Sequence, residues 1–138
     1  MSWCGHAVRR FGRRPRIGAD NGSTTAISAG DSQRVERAIG QWLAKGRYLQ
    51  QSITMPMVVS EMGISQQLLR SWLRAAGYES YADWMQQLRI EHARQLLKKH
   101  PEYSIEHIAE ACGFRNRSYF HTVFRQLTGM TPAQYLEL

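Results

Sequence analysis

Residues Ser104 to Tyr135 read Ser-Ile-Glu-His-Ile-Ala-Glu-Ala-Cys-Gly-Phe-Arg-Asn-Arg-Ser-Tyr-Phe-His-Thr-Val-Phe-Arg-Gln-Leu-Thr-Gly-Met-Thr-Pro-Ala-Gln-Tyr, and they decide the fold. Ser104 can cap the turn that follows it. Ile105, Ile108, Ala109 and Cys112 fall at helical spacing and predict one buried stripe. Gly113 offers the positive φ that a tight helix–helix turn often needs, and Asn116 stands where a new helix needs a cap. In that new helix Phe120 and Phe124 face inward at i,i+4, which leaves Arg117, Ser118, His121, Thr122 and Arg125 outside. A short helix, a glycine turn and a second helix with a polar outer face is how a helix-turn-helix presents side chains to the major groove.

The same pattern occurs once more upstream. Thr54, which can cap its own helix as Ser104 does, matches Ser104, and Gly63 matches Gly113, both at an offset of 50. Beyond the turn the offset becomes 51, so that Leu69 matches Phe120, Leu73 matches Phe124, Ser80 matches Thr131 and Trp84 matches Tyr135. One extra residue in the second turn accounts for the change. Met55, Val58, Val59 and Met62 repeat the buried stripe, Ser65 repeats the cap, and Pro56 sits in a first helical turn, where its missing N–H costs little. Gly77 falls one residue ahead of the position aligned with Gly129, so a different exit is expected from the first copy.

The outer face of the first copy holds Gln66, Gln67, Arg70, Ser71 and Arg74. Arginine can reach guanine, glutamine adenine, and hydroxyls either base or phosphate. Polar outer faces also belong to helices that only meet solvent. Two such faces, neither with an acidic residue, favour DNA. Trp72, on the edge of the first face, is assigned to the core.

Between the copies, Ser80 and Asp83 open a predicted helix with a capping-box-like start, and His100-Pro101 closes it. Trp84, Met85, Leu88, Ala93, Leu96 and Leu97 keep helical spacing within it. Residues 81–99 would form a rod of about 28 Å, against roughly 34 Å between successive major-groove faces of B-DNA. Bipartite readout by a monomer is compatible with that length. A first helix is expected from Asp31 or Ser32 to about Lys45, burying Val35, Ile39, Trp42 and Leu43. The expected organisation is therefore all-α, with about seven helices. A basic arm and linker occupies 1–30, unit one 31–79, the linker helix 80–100 and unit two 101–138.

Residues 31–138 resemble the DNA-binding domain of the AraC/XylS family of bacterial transcription regulators. The resemblance rests on Ile105-x-x-Ile-Ala-x-x-x-Gly-Phe114, Ser118-Tyr-Phe-x-x-x-Phe124, Gly129-x-Thr-Pro-x-x-Tyr135 and the run Leu88-Arg-Ile-Glu-His-Ala-Arg-Gln-Leu-Leu97. The first unit is looser, with Leu73 where an aromatic is common and Met57 where a glutamate is frequent. Leu136 follows the final tyrosine where the family usually has arginine. The resemblance implies two recognition helices, near 66–76 and 117–127, entering successive major-groove segments, and a regulator that engages RNA polymerase, more commonly as an activator. Carried over by position, the base contacts are Gln67, Arg70 and Ser71 in unit one. In unit two they are Arg117, Ser118, His121 and Thr122. Gln66, Arg74, Arg115 and Arg125 are expected at phosphates. The alternative is a protein-interaction module of the same fold that contacts polymerase or another partner without reading bases.

The chain has 18 Lys+Arg against 11 Asp+Glu, net +7. Residues 1–30 carry +4 of this, so the remainder is only weakly basic, and non-specific affinity should be modest and salt-sensitive. The basic run from Val8 to Arg16 and the Gly/Ser/Thr/Ala-rich stretch 18–30 read as a disordered arm and linker. The linker composition leans towards this being the C-terminal part of a longer regulator. Arg9-Arg10 precede no apolar segment, which excludes an export signal, and no stretch is apolar enough to span a membrane. Cys112 is expected to be buried, Cys4 lies in the arm, and no disulfide is expected between them. The five histidines show no metal-binding spacing, and there is no phosphate-cradling glycine loop or nucleophile elbow. The expectations are a cytoplasmic non-enzyme with no cofactor or metal, double-stranded DNA as its partner, and no small-molecule effector on this domain.

Overall fold

A computed structural model of the protein describes residues 27–138. The arm expected over 1–30, with Cys4, lies outside the described residues except for its last four positions. Seven α-helices follow one another: α1 Ala29–Ala44, α2 Met55–Met62, α3 Gln66–Ala75, α4 Tyr81–Lys99, α5 Ile105–Ala111, α6 Arg117–Thr128 and α7 Pro132–Leu136, with a 3-10 turn at Arg47–Leu49. No strand occurs among the described residues. Two compact units divide the chain: 27–47 with Ile53–Trp84, and Tyr48–Ser52 with Met85–Leu138. The segment Tyr48–Ser52, expected in the first unit from sequence order, packs instead with the second.

In unit one, α1 starts two residues earlier than expected. The Ser28 hydroxyl, not a group at Asp31 or Ser32, takes the free end by accepting from the Asp31 N–H at 3.0 Å. Asp31 thereby sits in the first turn, where a carboxylate suits the helix dipole. Val35, Ile39, Trp42 and Leu43 are buried as the spacing predicts. They meet Val58 and Val59 of α2 and Leu69, Trp72 and Leu73 of α3 in one core. Met55 and Met62 reach only half-burial at its edge. Trp72 belongs to the core at 3% exposure, stacked on Tyr78 and edge-on to Trp84, and Trp84 in turn stacks on Trp42 at 6.1 Å.

Thr54 departs from its assigned role. It occupies the N-cap of α2, but its side chain makes no capping hydrogen bond. Pro56 lies in the first turn and removes one of the N–H groups that such a cap would satisfy. A network stands at the other end of α2. The Glu61 carboxylate accepts from Trp42 Nε1 at 2.8 Å and Arg47 Nε at 3.1 Å, and pairs with the rest of the Arg47 guanidinium. Hydrogen bonds from Arg47 and then Trp42 hold its pKa down at about 2.

Unit two is built around aromatic rings. Phe114, Phe120, Phe124 and Tyr135 form a continuous chain of contacts with centroids 5.1, 5.6 and 5.6 Å apart. Ile108, Ala109 and Cys112 of the α5 stripe are buried against it, while Ile105 is half-buried. Burial pushes the Cys112 thiol up to about 12, which leaves it a small apolar side chain at neutral pH. From α4 come Met85, Leu88, Ala93 and Leu97, with Leu96 only half-buried, and also Ile90, fully buried though outside the expected stripe. The α4 start is as expected in kind but shifted: Ser80 accepts from the Asp83 N–H at 3.1 Å, and Asp83 reaches back to the Glu79 N–H. Its end falls at Lys99, before His100-Pro101.

Candidate nucleic-acid interface

Each unit sets one helix on its surface by the same local steps. In unit one α2 ends at Gly63, at φ 74°, and a single residue, the buried Ile64, leads to Ser65. Ser65 caps α3 by accepting from the Leu68 N–H at 3.0 Å. In unit two Gly113, at φ 88°, follows α5, and its N–H and that of Phe114 bond back to Glu110 and Ala109 carbonyls in a Schellman closure. Phe114 turns into the core and Arg115 out to solvent, and Asn116 caps α6 through the Tyr119 N–H at 2.8 Å. The extra turn residue anticipated from the offset is therefore real. It gives the second unit an exposed arginine that the first lacks.

With Leu69 and Leu73 inward, α3 exposes Gln67, Arg70 and Arg74 and half-exposes Gln66 and Ser71. With Phe120 and Phe124 inward, α6 exposes Arg117, Ser118, Thr122 and Arg125 and half-exposes His121. Every residue expected to face DNA thus lies on the outer surface of its own unit, Arg115 included. Neither helix carries an acidic residue. Gln66 accepts from Arg70 at 3.3 Å, which steadies both side chains on one face. Arg74, Arg115, Arg117 and Arg125 make no ion pair or side-chain hydrogen bond among the described residues. Four arginines without such a partner, on or just before helices that carry no acid of their own, can meet phosphate or base edges.

The exits differ as the misaligned glycines suggested. α3 stops at Ala75, and Gly77 at φ 94° closes it with Tyr78 N–H bonded to the Leu73 carbonyl. α6 continues to Thr128 and is capped by Gly129 at φ 84°. Thr131 and Gln134 then form a full capping box for α7, which delivers Tyr135 to the core.

Two features of the second unit were not legible beforehand. Tyr119 is 46% exposed on α6, and its hydroxyl accepts from Gln86 of α4. An open groove of about 410 Å³ runs beside the turn, and it sets Glu106 and Glu110 of α5 near Arg115 and Arg117. The surface next to α6 is therefore of mixed charge, which a survey of α6 alone could not reveal. The matching positions of α2 are Pro56 and Ser60, neither of them acidic. Among the described residues no group of three or more His, Cys, Asp or Glu could hold a metal ion, and no helix is long and apolar enough to cross a membrane.

Residues 58–137 match the protein family described as Helix-turn-helix domain. The transcriptional regulator GadX of Escherichia coli K12 is 38% identical over 84 residues, which is 61% of this chain and 30% of GadX. The transcriptional activator RhaR of Salmonella dublin is 34% identical over 90 residues, 65% of this chain and 32% of RhaR. The matched part thus spans about a third of the length of these relatives. Among solved structures, the C-terminal domain of AraT, a response regulator from Geobacillus stearothermophilus, superposes with a TM-score of 0.63 at 30% identity, over 75% of this chain and 84% of that one.

Proposed function

This chain belongs to the AraC-type helix-turn-helix family, and from that premise we propose that it is a sequence-specific DNA-binding transcription regulator that inserts α3 and α6 into successive major-groove segments. The observation that carries the reading is the repeated outer face: two capped, acid-free helices, each set on a glycine turn and each presenting arginines. Gln67, Arg70 and Ser71, with Arg117, Ser118, His121 and Thr122, are assigned to base edges. Gln66, Arg74, Arg115 and Arg125 are assigned to phosphates. RhaR, an activator by name, favours activation here too, and RNA polymerase is the protein partner that the family resemblance implies. The proposed place of action is the cytoplasm, and no catalytic role is assigned.

In vitro selection from a random duplex library with the full chain tests this at physiological salt. Two enriched elements are expected. Binding that enriches no sequence and fades as salt rises would overturn the reading. Arg117→Ala should relax preference at one base position and weaken binding by about 1–3 kcal/mol, whereas an equal loss on every sequence would make Arg117 a phosphate contact.

A further inference from the structure

The segment Tyr48–Ser52 lies between α1 and α2 in sequence, yet its contacts are with unit two. Arg89 of α4 holds it by two backbone carbonyls at once: Nε donates to Tyr48 O at 2.8 Å and Nη2 to Gln50 O at 2.7 Å. The Tyr48 ring is buried, edge-on to His92. Ser52 adopts φ 62°, a left-handed conformation that costs a non-glycine residue free energy and persists where its surroundings enforce it.

This strap lies directly on the turn ahead of α6. A Cβ added to Gly113 would stand 2.7 Å from the Leu49 carbonyl oxygen and 3.1 Å from Arg89 Nε, so the glycine is needed for the passage of the strap as well as for its φ. On the next residue, Gln51 Nε2 donates to the Phe114 carbonyl at 3.1 Å. Arg115 and the Asn116 cap follow at once, then Arg117. The last backbone carbonyl before the two exposed arginines is thereby tied to a side chain more than sixty residues earlier in the chain.

We infer that Gln51 and Arg89 are positioning residues for the second reading helix: the strap they hold fixes the turn 113–116 and so sets where Arg115 and Arg117 stand. Unit two is then incomplete as the contiguous stretch 85–138 and is finished by a segment supplied from between two helices of unit one. The inference rests on the DNA-reading function proposed above, and its test separates the two.

Gln51→Met keeps the side-chain length and removes the donor. Selection with the wild-type chain and with Arg117→Ala identifies, by which element relaxes, the element read by unit two. Gln51→Met is expected to relax that same element and to weaken binding to the wild-type duplex roughly three- to tenfold, the usual worth of one hydrogen bond. The other element should stay near wild type, and the melting temperature should fall by no more than a few degrees. Arg89→Lys, which puts one nitrogen in place of the two that reach the separate carbonyls, should show the same signature. Without DNA, amide hydrogen exchange over 114–118 should quicken in Gln51→Met while that over 55–76 does not. Equal relaxation of both elements, or unchanged selection and exchange, overturns the inference. If the wild-type chain selects no site, the DNA reading fails by itself and the exchange at 114–118 alone decides the strap: unchanged rates overturn it and quickened rates sustain it.

Discussion

The two units solve one architectural problem with different materials. Unit one fills the space behind its outer helix with Leu69 and Leu73 and buries its aromatic mass as Trp42, Trp72 and Trp84, only one of them on that helix. Unit two places Phe120 and Phe124 behind the helix itself, with Phe114 at the turn and Tyr135 at the exit. The turns differ in the same sense. A Cβ on Gly63 would meet nothing within 4 Å, whereas one on Gly113 would strike the backbone of the strap. The lesson is that a shared motif fixes where apolar residues and glycines must stand. It leaves open how much of the surrounding chain each position supports.

The largest effect should come from Phe120→Ala. Truncating a fully buried ring in contact with both Phe114 and Phe124 should lower stability by about 3–5 kcal/mol. Leu69→Ala, at the matching place of unit one, should cost about 2–5 kcal/mol. Urea unfolding followed by circular dichroism measures both, and a Phe120→Ala variant with an unchanged midpoint would refute the aromatic core. Gly113→Ala sharpens the contrast between turns. It should cost about 2–5 kcal/mol, adding a steric clash to the left-handed penalty, while Gly63→Ala should lose only the latter, about 1–2 kcal/mol. Equal losses would mean that the strap yields to the new methyl.

Caps give a finer contrast. Ser104 accepts from the His107 N–H at 3.0 Å, and Ser104→Ala should cost about 1 kcal/mol. Thr54 makes no such bond, so Thr54→Ala should leave the melting temperature nearly unmoved. A large loss at Thr54 would restore the capping role that its sequence position suggested. The smallest effect concerns pH. Glu61 has a folded-state pKa held below its ordinary value, so its pair with Arg47 stabilises unit one above the usual carboxylate range. That contribution is lost as pH falls through it towards 2. Unit two has Ala111 at the matching position. Tryptophan fluorescence, with Trp42, Trp72 and Trp84 all in unit one, should therefore shift on acidification in a way that Arg47→Met diminishes.

Much of this architecture was readable in one dimension because helices report their buried faces locally. The i,i+4 pair Phe120 and Phe124, the caps Ser65, Ser104 and Asn116, and the positive-φ glycines all act over four residues or fewer. Each expectation drawn from them holds in the structure. Ile90 escaped notice because α4 is buried on more than one side, so no single stripe describes it. Thr54 misled because a cap depends on which N–H groups remain to be satisfied, and Pro56 had already removed one. The first turn of α1 was missed because Ala29 and Gly30 look like linker when read beside the glycine-rich stretch before them.

The outer faces follow the same division. That Arg70, Arg74, Arg117 and Arg125 share outer surfaces with no acid on their own helices follows from periodicity alone. The Gln86–Tyr119 bond and the strap held by Arg89 and Gln51 join residues far apart in the chain, and the groove that Glu106 and Glu110 share with Arg115 and Arg117 depends on how one helix folds back on the next turn. Spacing along the chain was enough for the helices, most of their inward residues, the duplication and the family resemblance, since these are written in periods shorter than one helix or in a repeat of fifty residues. Which unit owns Tyr48–Ser52 and what lies against each glycine became visible in the folded chain alone, because such contacts depend on how distant segments pack, and no local period encodes that.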